Sequence, residues 1–207
     1  MLKIGLTGNF YSGYNEVGDL FEELGMPVFD ADLIIKYMLN YSSEYMNKIK
    51  FAFGENIYYA GLLDLKKFDT NDKFNKLLDI IELDLIKSYE KWRIKNWNKY
   101  YTIFKCSVLF ERGLDKNMNF NITTFTPELQ RKQDILNATQ MPRETIDNIL
   151  SNEMDELLKN QKATYVIHGY RGLSEMRKSV SNVHKAIMNK NPQGVLFNEN
   201  SVKNIIS

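Results

Sequence analysis

The segment Gly8-Asn9-Phe10-Tyr11-Ser12-Gly13-Tyr14-Asn15 lies between an apolar run, Leu2-Lys3-Ile4-Gly5-Leu6-Thr7, and a stretch with Val17, Leu20, Phe21 and Leu24 at helical spacing. A short apolar run ending in a glycine turn suits a buried parallel strand, and apolar residues three and four apart suit a helix laid over it. Pro27-Val28-Phe29 predicts a second strand, and Asp30-Ala31-Asp32 leads into a helix carrying Leu33, Ile34, Tyr37 and Met38. The chain therefore opens β-loop-α-β-α. That order implies a parallel sheet with right-handed crossovers and puts ligands at the carboxyl ends of the strands, where Gly8 and Asp30 both fall.

The loop has the G-x-x-x-x-G frame of a phosphate-binding turn, in which backbone N–H groups converge on phosphate oxygens. A complete loop of this kind continues with Lys, which neutralises the β- and γ-phosphates, and with Ser or Thr, whose hydroxyl ligates Mg²⁺. Those two positions are Tyr14 and Asn15. Gly8, Ser12 and Gly13 keep the frame, but the charge and the second hydroxyl are absent. Tyr14 is expected to fill volume that a phosphate would take, because burying phosphate against an uncharged ring is costly.

From about residue 44 to 99 the pattern becomes helical, with a turn expected near Ala60-Gly61. The longest helix starts near Asp72: Phe74, Leu77, Leu78, Ile81, Leu85, Tyr89 and Trp92 form one stripe, and Lys73, Asp79, Glu82, Lys87 and Glu90 lie opposite. Strand signals return at 100–105, 108–111 and 120–125. Thr126-Pro127-Glu128 reads as a helix start capped by Thr126, and a second helix begins around Pro142. Residues 163–168 are the last strand and 173–188 the last helix. The tail after Asn189 regains Val202, Ile205 and Ile206 and is expected to dock.

A length of 207 residues fits one domain, residues 1–189, followed by a tail at 190–207. Lys and Arg number 27 against 26 Asp and Glu, so no global field argues for nucleic acid or an anionic membrane surface. The single cysteine, Cys106, excludes an intrachain disulfide and a Cys-based zinc cluster and reads as a buried strand residue; no metal site is expected. No run approaches the roughly 18 apolar residues that span a membrane, and a cytoplasmic protein is expected.

Further stretches then fall in a recognisable order: Val28-Phe29-Asp30-Ala31-Asp32, Phe53-Gly54 through Ile57, Gly61-Leu62-Leu63-Asp64, Val108-Leu109-Phe110-Glu111, Thr126-Pro127-Glu128-Leu129-Gln130 and Tyr165-Val166-Ile167. With the loop, they make a chain that resembles the dephospho-coenzyme A kinase family from Leu2 to about Met188. The resemblance implies an α/β fold of the P-loop NTPase type: a five-stranded parallel sheet flanked by helices, a helical insertion at about 44–99 that binds the acceptor, and a lid at about 131–145. It also implies transfer of a phosphoryl group from Mg-ATP to the ribose 3′-hydroxyl of dephospho-coenzyme A, with the aspartate matching Asp30 or Asp32 near that hydroxyl.

The departures from the family pattern do not fall at random with respect to chemistry. Besides Tyr14 and Asn15, Leu65 stands for an arginine, Leu83-Asp84 for a His-Pro pair, Gln133 and Asn137 for lid arginines, Glu153 for a glutamine and Gly169 for an asparagine. One preorganised donor is worth about 10²- to 10³-fold in rate and a transition-state arginine about 10³- to 10⁵-fold. The expected reading is a degenerate, catalytically impaired member with no cofactor, acting as a binding or structural protein on a protein partner. The alternative is an active ATP-dependent kinase acting on dephospho-coenzyme A or another nucleotide-like acceptor. It would use Mg-ATP, Asp30 and Asp32 as catalytic residues, and Arg131, Lys132 and Arg143 as lid cations. Trp92, Arg93 and Trp97 form a candidate partner surface; the same residues also fit an amphipathic helix with its rings turned inward.

Overall fold

Strand β1 (Leu2–Gly8) is buried from Ile4 to Gly8, on both faces, and so takes the centre of the sheet. In this computed structural model, which describes residues 1–68 and 70–189 apart from the Asn71 side chain, β1 pairs with β5 (Tyr101–Lys105) on one side and β6 (Phe120–Phe125) on the other. With β2 (Val28–Asp30) and β7 (Tyr165–His168) the order is β2-β5-β1-β6-β7, all parallel. Every carboxyl end therefore opens on one edge, which brings Gly8, Asp30, Lys105, Phe125 and His168 to the same side. The tail residues expected to dock lie outside the described residues.

Helices α1 (Tyr14–Glu23) and α8 (Leu173–Met188) cover one face through Val17, Leu20, Phe21, Val180, Val183 and Ile187. On the other face α2 (Ala31–Tyr41) and α4 (Asn71–Lys95) bring Ala31, Leu85 and Tyr89 against Phe29, Phe104 and Cys106. A second cluster forms where α3 (Ser43–Phe53) and the hairpin of β3 (Tyr58–Tyr59) and β4 (Leu62–Leu63) meet α4, around Ile49, Leu63, Leu77 and Ile81. Ala60 and Gly61 both have positive φ, 49° and 82°, as a two-residue hairpin turn requires. The sequence signals that turn but not its strands, because two residues carry no periodicity.

Residues 108–111, read as a strand, instead form turns after β5. Leu109 and Phe110 bury themselves by folding back onto the core rather than by pairing with a neighbour. Beyond β6, α5 (Glu128–Ala138), α6 (Arg143–Ser151) and α7 (Glu156–Lys162) pack over the carboxyl edge, with Ile135, Ile146 and Leu150 gripping Phe10 of the loop. Among the described residues no helix is long and apolar enough to cross a membrane.

Candidate active site

The loop is held from behind by close packing. A Cβ on Gly8 would stand 2.2 Å from Thr124 Oγ1, and one on Gly169 would stand 2.0 Å from the Ser12 carbonyl oxygen, so both positions need glycine. Ser12 Oγ shares a 2.7 Å hydrogen bond with Thr124 Oγ1, and Thr126 Oγ1 donates to the Ser12 carbonyl at 3.1 Å. Thr126 is thus a loop brace and not the cap of α5, whose N-cap position is Pro127. Tyr11 keeps a left-handed φ of 61°, a strain that the surrounding packing has to offset. No side chain caps the first turn of α1, which leaves its N–H groups for water or an anion.

Tyr14, at the position of the loop lysine, donates its hydroxyl to Asp32 Oδ2 at 3.1 Å. Asp32 also receives the Ser107 amide at 3.1 Å to each oxygen and the Ser107 hydroxyl at 2.7 Å. Burial, with Asp32 beside it, holds the Tyr14 phenol protonated far above its usual range. Burial also pushes the Asp32 carboxyl up, and the donors from Ser107 and Tyr14 draw it only part of the way back. The folded chain therefore holds that proton more tightly than the unfolded chain. The stability it confers is present at low pH and is lost as pH rises through the raised value. Carboxylate ¹³C NMR should find Asp32 titrating above the ordinary value of about 3.9, and Ser107→Ala, which removes a donor to the ionised form, should move it higher still. A titration at or below the ordinary value would contradict this account.

The pair Asp30 and Asp32 divides its roles. Asp30 caps α2 by accepting from the Leu33 amide at 2.9 Å and pairs with Lys105 Nζ at 2.8 Å, while Asp32 is the carboxylate that faces the loop. Lys105 also donates to Asn15 Oδ1 at 2.7 Å, and its ammonium lies 5.7 Å from the centre of the Tyr14 ring. Lys159 is buried on α7 and donates to Glu111 Oε1 at 2.9 Å and to the Ser107 carbonyl at 3.2 Å.

Arg131, expected to face phosphate from the lid, is 1% exposed and turned inward. Its guanidinium bonds the Phe10 carbonyl at 2.8 Å, the Thr126 carbonyl at 3.2 Å, Glu153 at 2.7 Å and Glu156 at 2.6 Å, and Glu153 in turn accepts from the Phe10 amide. Its place one turn inside α5 points it at the loop's back and not at the ligand side. Lys132 pairs with Asp147. Arg143 is exposed and makes no ion pair with the described residues. The partner-surface trio is also split: Trp92 packs at 5.4 Å on the Phe29 ring and stacks on Tyr89, Arg93 pairs with Glu90 at 2.7 Å, and Trp97 is 78% exposed. Trp92 is half-buried with its ring turned inward, as the amphipathic-helix reading has it and the partner-surface reading does not, because the helical stripe that carries it faces the sheet.

Between the loop, α4 and the α6–α7 turn lies a cleft of about 730 Å³, lined by Gly8, Tyr14, Phe74, Leu78, Ser107, Glu111, Arg112, Glu153 and Lys159 among others. Tyr14 therefore narrows the site without closing it. Mg²⁺ takes carboxylate oxygens, and of the oxygens here Glu111 already pairs with Lys159, Asp32 already accepts from Ser107 and Tyr14, and Asn15 already faces the Lys105 ammonium. Sequence reasoning missed Lys105, Ser107 and Lys159. Only Lys105 left a trace, as a charge ending the otherwise uncharged strand Tyr-Thr-Ile-Phe-Lys.

A parallel sheet in this order, with a glycine loop between β1 and α1 and helices closing over its carboxyl edge, defines the P-loop kinase fold. The fold matches the crystal structure of TT1252 from Thermus thermophilus with a TM-score of 0.75 at 21% identity, over 91% of this chain and 97% of that one. It matches the dephospho-CoA kinase of Campylobacter jejuni at 0.62 and 19%, over 89% and 96%. The family model for dephospho-CoA kinase matches residues 2–175, and the chain belongs to that family. The dephospho-CoA kinase of Novosphingobium aromaticivorans is 27% identical over 195 residues, 92% of this chain and 97% of that protein, and that of Aquifex aeolicus is 29% identical over 194, 90% and 98%. Membership corrects the expectation that no cofactor is used: dephospho-CoA kinases use ATP and Mg²⁺, and the site is to be judged against those ligands.

Proposed function

We propose that this chain is a dephospho-CoA kinase-family protein in which ligand binding has outlived turnover: the cleft still takes a nucleotide or CoA-type ligand, phosphoryl transfer is strongly slowed, and the protein serves as a binding or assembly component. The observation that carries this reading is the hydrogen bond from Tyr14 to Asp32. One residue removes the cation that would neutralise the phosphates and at the same time occupies the carboxylate that would take the acceptor's proton. Of the other cations nearby, Lys159 and Arg131 each already serve a carboxylate.

Titration calorimetry with Mg-ATP and with dephospho-coenzyme A, run beside an assay for 3′-phosphorylated product, tests the proposal. Heat of binding is expected for at least one of the two ligands, with turnover at least about 10³-fold below the 1–100 s⁻¹ common among kinases. Turnover within that range would sink it. The second reading, an active ATP-dependent kinase, has one observation in its favour: the Lys105 ammonium beside Asn15.

A further inference from the structure

We infer that Lys105, contributed by strand β5 and not by the loop, is the fixed cation that neutralises phosphate bound at the N-terminus of α1. The inference deepens the binding reading above and rests on it. A phosphate-binding loop normally brings its positive charge from the residue that follows the second glycine, which here is the uncharged Tyr14. The neighbouring strand supplies an ammonium instead. Lys105 ends β5 in register with Leu6 of β1 and Asp30 of β2, two residues short of the loop's first glycine. Its stem runs past Gly18 on α1, where a Cβ would come within 3.2 Å of Lys105 Cδ, and small size at that position lets it through.

The ammonium arrives at the first turn of α1 with three neighbours: Asn15 Oδ1 at 2.7 Å, Asp30 Oδ2 at 2.8 Å and the Tyr14 ring at 5.7 Å. Asn15 is exposed and sits where a complete loop would present its metal-ligating hydroxyl. The ammonium is thus tied to the residue that faces the ligand. A lysine at the end of a central strand is 8% exposed and loses much of its hydration, and the Asp30 carboxylate offsets part of that loss. An ammonium holds three donors, of which the two oxygens use two. The third, with the uncapped N–H groups of α1, completes a site for a phosphate oxygen.

The test uses the whole chain with Mg-ATP and, separately, inorganic tripolyphosphate as probes in calorimetry. Lys105→Gln, one atom shorter but still able to hydrogen-bond, removes the charge and is expected to weaken both about 10- to 100-fold, the value of a charge-assisted bond, while Lys105→Arg keeps affinity within a few-fold. A second measurement needs no variant: the ¹⁵Nζ signal of Lys105 is expected to shift on addition of tripolyphosphate to the unaltered protein. Equal affinity for the Lys105→Gln variant, an unmoved Nζ signal, or no binding of either probe would each overturn the inference. Those results leave the slow-turnover reading standing on dephospho-coenzyme A binding and the product assay. Rapid turnover with an intact Lys105 effect would do the reverse.

Discussion

Exchanging Tyr14 for lysine and Asn15 for serine in the same chain is expected to raise phosphoryl transfer from Mg-ATP to dephospho-coenzyme A by about 10²-fold or more, the value of one restored electrostatic group. Lysine at 14 returns charge to the β- and γ-phosphates, serine at 15 returns an oxygen ligand for Mg²⁺, and the departing phenol frees Asp32 Oδ2 to meet the acceptor. Tyr14→Phe separates these contributions. It releases the carboxylate without adding charge, so a gain confined to the lysine variant assigns the defect to missing charge, and an equal gain with phenylalanine assigns it to the occupied base. The gain stops short of full kinase rates, because Arg131 stays buried and Gln133 and Asn137 carry no charge. A double variant no faster than the parent, when both bind Mg-ATP, would show that Tyr14 is not what limits transfer.

Arg131→Met is expected to lower stability by about 3–5 kcal/mol, the cost of stripping one partner from a buried ion pair. For a chain of this size, that is a fall in melting temperature of roughly 6–20 °C by thermal denaturation. Two carboxylates, Glu153 and Glu156, and two backbone carbonyls, those of Phe10 and Thr126, lose their donor together. Burial already raises the Glu156 carboxyl above its usual range, with Arg131 opposing that rise, so removal of the guanidinium moves the group further toward its protonated form. The triple change Arg131→Met, Glu153→Gln and Glu156→Gln should recover most of the loss. A single variant that melts within a degree or two of the parent would mean the guanidinium is not needed for stability.

The fold was legible to the extent that it rests on short-range pattern. The buried run of β1, the helical stripe of α4 and the start of α2 at Asp30-Ala31-Asp32 are read from neighbours within a few residues, because strand and helix periods repeat locally. The exceptions are instructive. Residues 108–111 have strand composition but no partner strand to pair with, and β3 and β4 are too short to show a period.

The site was legible only in part. Its frame, the glycine loop and the two aspartates at a strand end, followed from residue type and position. Which aspartate faces the loop, and which cations are spoken for, did not follow, since these depend on groups far apart in the chain: Ser107 on Asp32 is 75 residues away, Lys105 on Asn15 is 90, and Arg131 on Phe10 is 121.

Sequence alone determined the first strand, the position of the loop and the absence of its lysine and hydroxyl, because each is a property of one residue or one short run. Tertiary structure alone decided that Tyr14 seals Asp32, that Arg131 braces the loop from inside, and that Lys105 carries an ammonium to Asn15. Coulombic and hydrogen-bonding energies fall off over a few ångströms of space whatever the separation along the chain, so only the folded arrangement selects among the many pairings that composition permits.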